Sequence, residues 1–345
     1  IMPLGTNQVT LAVAGNFIPE MWSDEVIATY KQKLVLGNLV TKISFKGKKG
    51  DTLHIPVPAR GEASAKAANT QVTLLASSNS VIDVLIDKHF EYSKLYEDIA
   101  EMQSLSSMRK FYTDDAGFAL AKRVDRDLHL LGAGLNGGSI AGATNLYEKA
   151  VIGGDGVTNF SGATPGNGTA LTDAGLRKMI QTLEDNDINS AELAFVIPPV
   201  EASVLRGISR FTEQAFVGSG EVIKTGRLGN LYGVEVYTST NCPFIHVNSV
   251  TSTQSITFSA TKPTGAAFAD EFGLTVDWST SAPTDTVYRA CLLMHKDALA
   301  HAEQQGIRSQ SQYKQEYLGT LVTSDTVYGT KELRDYAGLV LAVPA

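Results

Sequence analysis

Leu105, Met108, Tyr112, Ala116, Leu120, Val124, Leu128 and Leu131 recur three or four residues apart. That is the spacing of one apolar stripe on an α-helix. It predicts a helix over 105–131, roughly 40 Å long at about 1.5 Å per residue. Ser104 can cap its start, and Gly132 and Gly134 can end it, because glycine takes a left-handed conformation without penalty. Between the stripe positions lie Arg109, Lys110, Asp114, Asp115, Lys122, Arg123, Asp125, Arg126 and Asp127. Many are paired with opposite sign across one turn, which predicts a solvated or contact face.

Around this rod the period changes repeatedly. Residues 1–16 are small or polar and read as an arm without a core. Pro19, Glu20, Asp24 and Glu25, with Trp22, Val26, Ile27 and Tyr30 on one face, predict a short helix ending by Gly37-Asn38. From Lys42 to Ile86 the alternation is two. Ile43 and Phe45, a basic turn at Gly47-Lys48-Lys49-Gly50, and Thr52 to Val57 read as a hairpin, with extended structure resuming at Val72, Leu74 and Val81 to Ile86. Such a β excursion has little core beneath it and needs a neighbour. Tyr92–Met102 reads as a short helical segment. Gly132–Gly168 is a glycine-rich connection and the expected main domain boundary.

The second half begins with Thr172 and Asp173 opening a helix that buries Leu176, Met179, Ile180 and Leu183. Ala194 to Ile197 reads as a buried strand stopped by Pro198, and Pro199 suits the first turn of another helix. Phe211–Thr225 reads as a loop, Val234–Thr238 as a strand, and Ser239–Thr286 as a β-rich insertion or surface region. Val287–Met294 is expected as a buried strand, Ile307–Tyr313 as a long exposed one, and Tyr336–Val343 as a closing strand with Gly338 in its middle.

The 345 residues are 43% hydrophobic, ample for a core, and the net charge of −7 gives no global reason for tight binding to nucleic acid or an acidic membrane. Two cysteines, Cys242 and Cys291, do not make a disulfide framework. No apolar run is long enough to span a bilayer, and the start has no signal-peptide pattern. A soluble protein made in the cytoplasm is the expectation.

Reactive constellations are scarce. Gly218-Ser219-Gly220-Glu221-Val222-Ile223-Lys224-Thr225 has Ile223 where a phosphate loop needs glycine. His301-Ala302-Glu303 begins a zinc-deaminase pattern, but no Pro-Cys-x-x-Cys follows. The six histidines are scattered, and Asp125 and Asp127 lie two apart on a helix, so they point to different faces. Catalytic, cofactor-binding and metal-ligating residues are therefore expected to be none, and no cofactor is expected.

The order of elements resembles the major capsid proteins of tailed bacteriophages, the Hong Kong 97-type fold, and most of all those of short-tailed phages. Two stretches carry the resemblance. Phe195-Val196-Ile197-Pro198-Pro199 with its helix, then Gly226-Arg227-Leu228-Gly229-Asn230-Leu231-Tyr232-Gly233-Val234-Glu235-Val236-Tyr237-Thr238-Ser239-Thr240-Asn241, is similar to the strand–helix and glycine-bounded strand of the family's axial domain. Ile82 to Leu95, with Ser104 to Leu131, is similar to its extended-loop exit and spine helix.

The resemblance implies an α+β fold with an N-terminal arm (1–37) and an extended β loop (38–92). It further implies a peripheral domain (93–164 and 287–345, spine helix 105–131) and an axial domain (165–286, β-rich insertion about 247–283). It implies a structural, non-enzymatic subunit of an icosahedral virion capsid that assembles with itself into hexamers and pentamers and encloses double-stranded DNA without sequence-specific binding. A separate scaffolding protein, a portal and a decoration protein are the further partners it implies; no long helical scaffolding segment is read at the start. Inter-subunit contact candidates are Trp22, Lys46, Lys48, Lys49, Arg60, Arg123, Arg126, Arg206 and Phe211, with Arg206–Gly220 a candidate for the symmetry axis. An encapsulin-type compartment shell, or a soluble α/β enzyme with a β lid, are the alternatives.

Overall fold

The core is built where apolar strands meet edge to edge and a few amphipathic helices cover them. The structure, a computed structural model, describes residues 34–44, 50–57, 63, 65–72, 74, 80–99, 108–135, 151–156, 169–189, 192–208, 229–248, 255–259, 268–269, 275–276 and 288–344. Phe195, Val196 and Ile197 of strand β6 (Leu193–Ile197) are buried on both faces, as a continuous apolar run requires. Beside β6 lie β8 (Val234–Thr238), parallel, and β13 (Tyr288–His295), antiparallel. Along its other edge β13 pairs with β16 (Gly338–Pro344), which pairs in turn with β5 (Val151–Gly153). With β7 (Asn230–Leu231), β9 (Phe244–Asn248) and β10 (Ser255–Ser259) this makes an eight-stranded mixed sheet.

Two helices are placed as their patterns predict. Helix Asp173–Asp185 is capped by Thr172, whose hydroxyl oxygen accepts from the Gly175 N–H, and buries Leu176, Met179 and Leu183. Helix Pro199–Arg206 starts on its proline and buries Ala202 and Leu205. Between β7 and β8, Tyr232 and Gly233 both take positive φ, 53° and 86°. That is the two-residue turn whose twist suits a hairpin, and glycine supplies half of it without strain.

A second, four-stranded sheet has the order β1 (Thr41–Ser44), β14 (Leu299–Lys314), β15 (Gly319–Glu332) and β4 (Lys88–Glu97). The long helix, Met108–Gly132, packs on it. Ala116, Leu120 and Leu128 of the predicted stripe are buried, and Val124 and Leu131 pack against the core. Residues 104–107 lie outside the described residues, and Gly132 is the last helical residue.

Several expectations are corrected. Thr41–Ser44 and Thr52–Val57 do not form a hairpin with each other. The first runs parallel to β14, Thr41 opposite Ala300. The second, β2, pairs with β3 (Ser80–Leu85) in a two-stranded ribbon, Leu53 opposite Val84. Exposed Val72 and Leu74 lie in neither strand. Lys88–Glu97 is strand where a helical segment was expected from Tyr92. Its residues alternate between half-buried and exposed, so Tyr92, Lys94 and Tyr96 face the long helix while Glu91, Ser93 and Leu95 face away. The short helix expected from Pro19 falls outside the described residues, and a separate helical turn, Leu36–Leu39, runs through Gly37-Asn38. Gly338 begins β16. The fourteen residues of β15 were not anticipated at all. The insertion expected at about 247–283 starts as the antiparallel pair β9–β10 on the edge of the larger sheet, with a small second pair, Phe268–Ala269 with Thr275–Val276.

Candidate functional site

Of the nominated contact residues, Trp22, Lys46, Lys48, Lys49, Arg60 and Phe211 lie outside the described residues. Arg206 is exposed in the last turn of its helix, where a cation complements the negative helix end. Arg126 is half-buried on the long helix. Arg123 is engaged within the chain. It pairs with Asp127 at 3.2 Å, and its guanidinium sits 4.6 Å above the ring of Phe90.

The charged face expected around Asp125 and Asp127 is instead where the parts of the fold are joined. Both aspartates are buried, at 1% and 2% exposure. The helix's apolar stripe is narrow along its first half, but at its end Leu128, His129, Gly132, Ala133 and Leu135 are also buried. A carboxylate there must find partners. Asp125 Oδ1 accepts from the backbone N–H groups of Val35, Leu36 and Gly37 at 3.1, 2.8 and 3.4 Å. These are the orphan donors at the start of the Leu36–Leu39 turn. Its Oδ2 accepts from the Asn241 amide at 2.6 Å. One side chain thus ties the end of the N-terminal segment and the corner after β8 to the long helix. One turn on, buried His129 places Nδ1 2.7 Å from the Asp125 carbonyl, and burial, opposed by the Asp125 charge, lowers its pKa.

Asp127 closes the other side. Its Oδ2 accepts from Lys88 Nζ at 3.0 Å and from the Tyr328 hydroxyl at 2.7 Å, so the helix is bound to β4 and β15. Burial first, then the Asp127 charge, keeps the fully buried Tyr328 phenol protonated far above its ordinary range. Tyr92 donates to Asp115, and Lys94 lies 3.7 Å from the centre of the Tyr112 ring, which extends the seam along the helix.

A third aspartate lies on the opposite face of the same sheet. Irregular pairing between β14 and β15 at Glu303–Arg308 brings Gln305 and Arg308 onto Asp325. Arg308 donates through Nε to Oδ1 at 2.8 Å and through Nη2 to Oδ2 at 3.1 Å. Gln305 donates at 2.9 Å, and His89 is 3.2 Å away. The Arg308 hydrogen bonds hold the Asp325 carboxyl below the ordinary carboxylate range.

Each of the three aspartates is held as an acceptor by fixed donors, Asp127 through Oδ2 alone; its buried Oδ1 accepts no hydrogen bond from the described residues and has only the Arg123 guanidinium 3.2 Å away. Among the described residues no three histidine, cysteine, aspartate or glutamate side chains converge to hold a metal, and no helix is long and apolar enough to cross a membrane. A small apolar pocket of about 10 Å³ between helix Asp173–Asp185 and the larger sheet is lined by Leu176, Ile180, Phe195, Leu231, Tyr232, Val234, Val236 and Leu293, with no carboxylate, imidazole or thiol. What the surface does offer is exposed apolar side chains, among them Val57, Val81 and Leu85 on the β2–β3 ribbon, and Tyr313, Tyr317 and Leu318 at the β14–β15 tip, where the Tyr313 hydroxyl donates to Asp98.

Asp125 and Asp127 were missed as structural joints because their spacing shows only that they face different ways. Their one sequence signal is that the stripe continues past them while glycines at 132 and 134 promise close packing.

No protein-family model matches the sequence, and no curated protein does. Solved structures do. A chain from Mycobacterium phage Che8 is 21% identical, with a TM-score of 0.66 over 94% of this chain and 97% of that one. The capsid structure of Cyanophage P-SCSP1u matches at 17% identity and a TM-score of 0.70, covering 99% of this chain and 98% of the other. The capsid of Ralstonia phage GP4 matches at 14% identity, TM-score 0.63, with 95% of each chain covered. The fold of this chain is the α+β Hong Kong 97-type capsid fold.

Proposed function

We propose that the chain is the major subunit of an icosahedral capsid, assembling with copies of itself into hexamers and pentamers around double-stranded DNA. The observation that carries the reading is end-to-end likeness. The similarity to capsid chains takes in nearly all of this chain and nearly all of theirs, projecting parts included. A fold alone does not dictate function. Here, however, the exposed apolar ribbon and hairpin tip are also surfaces that a solitary protein seldom keeps, and a shell of like subunits would cover them.

Within this reading residues 1–37 serve as the arm and 38–92 as the extended loop. Residues 93–164 and 287–345 form the peripheral domain and 165–286 the axial domain, with β13 and β16 shared into the axial sheet. Trp22, Lys46, Lys48, Lys49, Arg60, Arg126, Arg206 and Phe211 face neighbouring subunits, and Arg123 contributes through its edge over Phe90. In the same reading the subunit is of the short-tailed group, which the order of its elements supports, and its further partners are scaffolding, portal and decoration proteins. The net charge of −7 lets DNA lie inside without tight adhesion.

Light scattering on a gel-filtration column, followed by electron microscopy of the largest species, tests the proposal. Closed shells of megadalton mass are expected. A monomer at high concentration and in divalent salt, with no shells in the cells that make it, would overturn the reading.

A further inference from the structure

The segment between β8 and β13 begins and ends side by side, because its first strand, β9, pairs with the start of β13. Tyr288 faces Ile245 and Arg289 faces Phe244 in antiparallel register. The Ala290 N–H then donates to the Pro243 carbonyl at 2.9 Å, carrying the register one step further. Extended one further step, beyond the first residue of β9, this register sets Cys291 opposite Cys242, and the two thiols are near enough for Cys242 to act electrostatically on Cys291. Since Ala290 and Pro243 occupy a hydrogen-bonded position, the cysteines of that extension fall at a non-hydrogen-bonded one. There, facing Cα atoms are about 4.5 Å apart and side chains approach closest, inside the roughly 4.4–6.8 Å that a disulfide spans.

The surroundings hold the pair in place. The Arg289 side chain donates to the Cys242 carbonyl through Nε at 3.2 Å and Nη2 at 2.9 Å, and to the Thr240 carbonyl at 2.6 Å. The Cys242 backbone is thereby clamped to β13. Both side chains are buried, and the structure holds both as free thiols. Burial pushes the Cys242 thiol up to about 12 and the Cys291 thiol well above its usual value. Reaction therefore needs the core to open briefly.

We propose that Cys242 and Cys291 are a redox site that closes into a cross-strand disulfide once the protein leaves a reducing compartment, stapling the root of the excursion 243–290. The oxidant is a low-molecular-weight disulfide. One cysteine loses its proton and attacks it, forming a mixed disulfide and expelling one small thiolate. The second cysteine, also deprotonated, attacks the protein sulfur of that mixed disulfide and expels the other thiolate. Two protein thiols become one disulfide, and one small disulfide becomes two thiols. The moment of closure, on release of a particle from its host, rests on the capsid reading; the bond itself does not.

The test uses the full chain, incubated with oxidised glutathione a few degrees below its melting temperature, then alkylated in denaturant and digested. The expected result is a peptide pair joining Cys242 to Cys291 and loss of both alkylatable thiols. The melting temperature should rise on the order of 5 °C and fall back on reduction. Cys242→Ser and Cys291→Ser should each keep one thiol and show no rise. Recovery of both cysteines alkylated, or as glutathione adducts or links between chains, would overturn the site. A bond that forms in the free subunit but is absent from particles isolated without reductant would overturn only its timing and leave the capsid reading untouched.

Discussion

Asp125 and Asp127 share a helix and a burial class but close different joints, and each can be tested separately. Asp125→Ala would leave three backbone donors and the buried Asn241 amide without their acceptor. A loss of at least about 3 kcal/mol in urea unfolding is expected. Asp125→Asn should cost less, because only Oδ2 is exchanged for a donor facing the donor of Asn241.

The titrating groups predict two separate acid steps. His129 and His301 are held neutral by burial, so their native pKa values lie below the unfolded value near 6.5. As pH falls through about 6.5 the unfolded chain gains protons that the native chain does not, and stability declines. Asp325 is depressed by Arg308. Its contribution is complete above the ordinary carboxylate pKa near 4 and is lost as pH falls through its lower native value. Urea midpoints against pH should show His129→Gln flattening the upper step and Asp325→Asn the lower. An unchanged lower step in Asp325→Asn would mean that the Arg308 bonds add nothing net.

Among elements, the joint between ribbon and sheet depends on a residue without a side chain. A Cβ on Gly329 would stand 2.2 Å from the Leu85 carbonyl oxygen, which is backbone and cannot swing aside. Gly329→Ala should therefore displace the β3–β4 link from β15 and cost about 1–3 kcal/mol, read as a lower denaturation midpoint. The long helix, helix Asp173–Asp185, helix Pro199–Arg206 and strand β6 are legible in the sequence because burial and period agree in them: one stripe, one cap, one proline, one apolar run. Strand β15 is not legible. Ser324, Asp325 and Thr326 fill buried strand positions with polar atoms, Thr320, Thr323 and Thr330 fill half-buried ones, and its partner β14 is exposed along its second half. Tyr92, Leu95 and Ile99 imitate a helical stripe, yet Tyr92 and Leu95 lie on opposite faces of a strand. Strand pairing over long separations, such as β1 with β14, has no local sign at all. For the joints, the sequence shows where two aspartates diverge but not what they meet, since Val35 and Asn241 are brought to Asp125 only by the finished fold.

For the whole molecule, folding and assembly should come apart. Val81 is more than half exposed on the ribbon, at 56%. In the capsid reading, Val81→Glu would leave the unfolding midpoint within about 0.5 kcal/mol of the parent while reducing the yield of closed shells by scattering and microscopy. A matched loss of stability and assembly would show instead that the ribbon is part of the subunit's own core.

The four-stranded sheet also sets an order of events during synthesis. Thr41 waits for Ala300 and Glu97 for Gly319, so neither β1 nor β4 has its partner until the chain has been made that far. β16, made later still, completes the pairing of β13 in the other sheet. Local helices can form early, but both sheets close late and across long loops, the arrangement that makes folding slow and leaves strand edges open meanwhile. In the capsid reading, a nascent subunit is thus kept from presenting a finished surface to its neighbours until both sheets have closed, and removal of β16 should yield an insoluble chain rather than a smaller folded one.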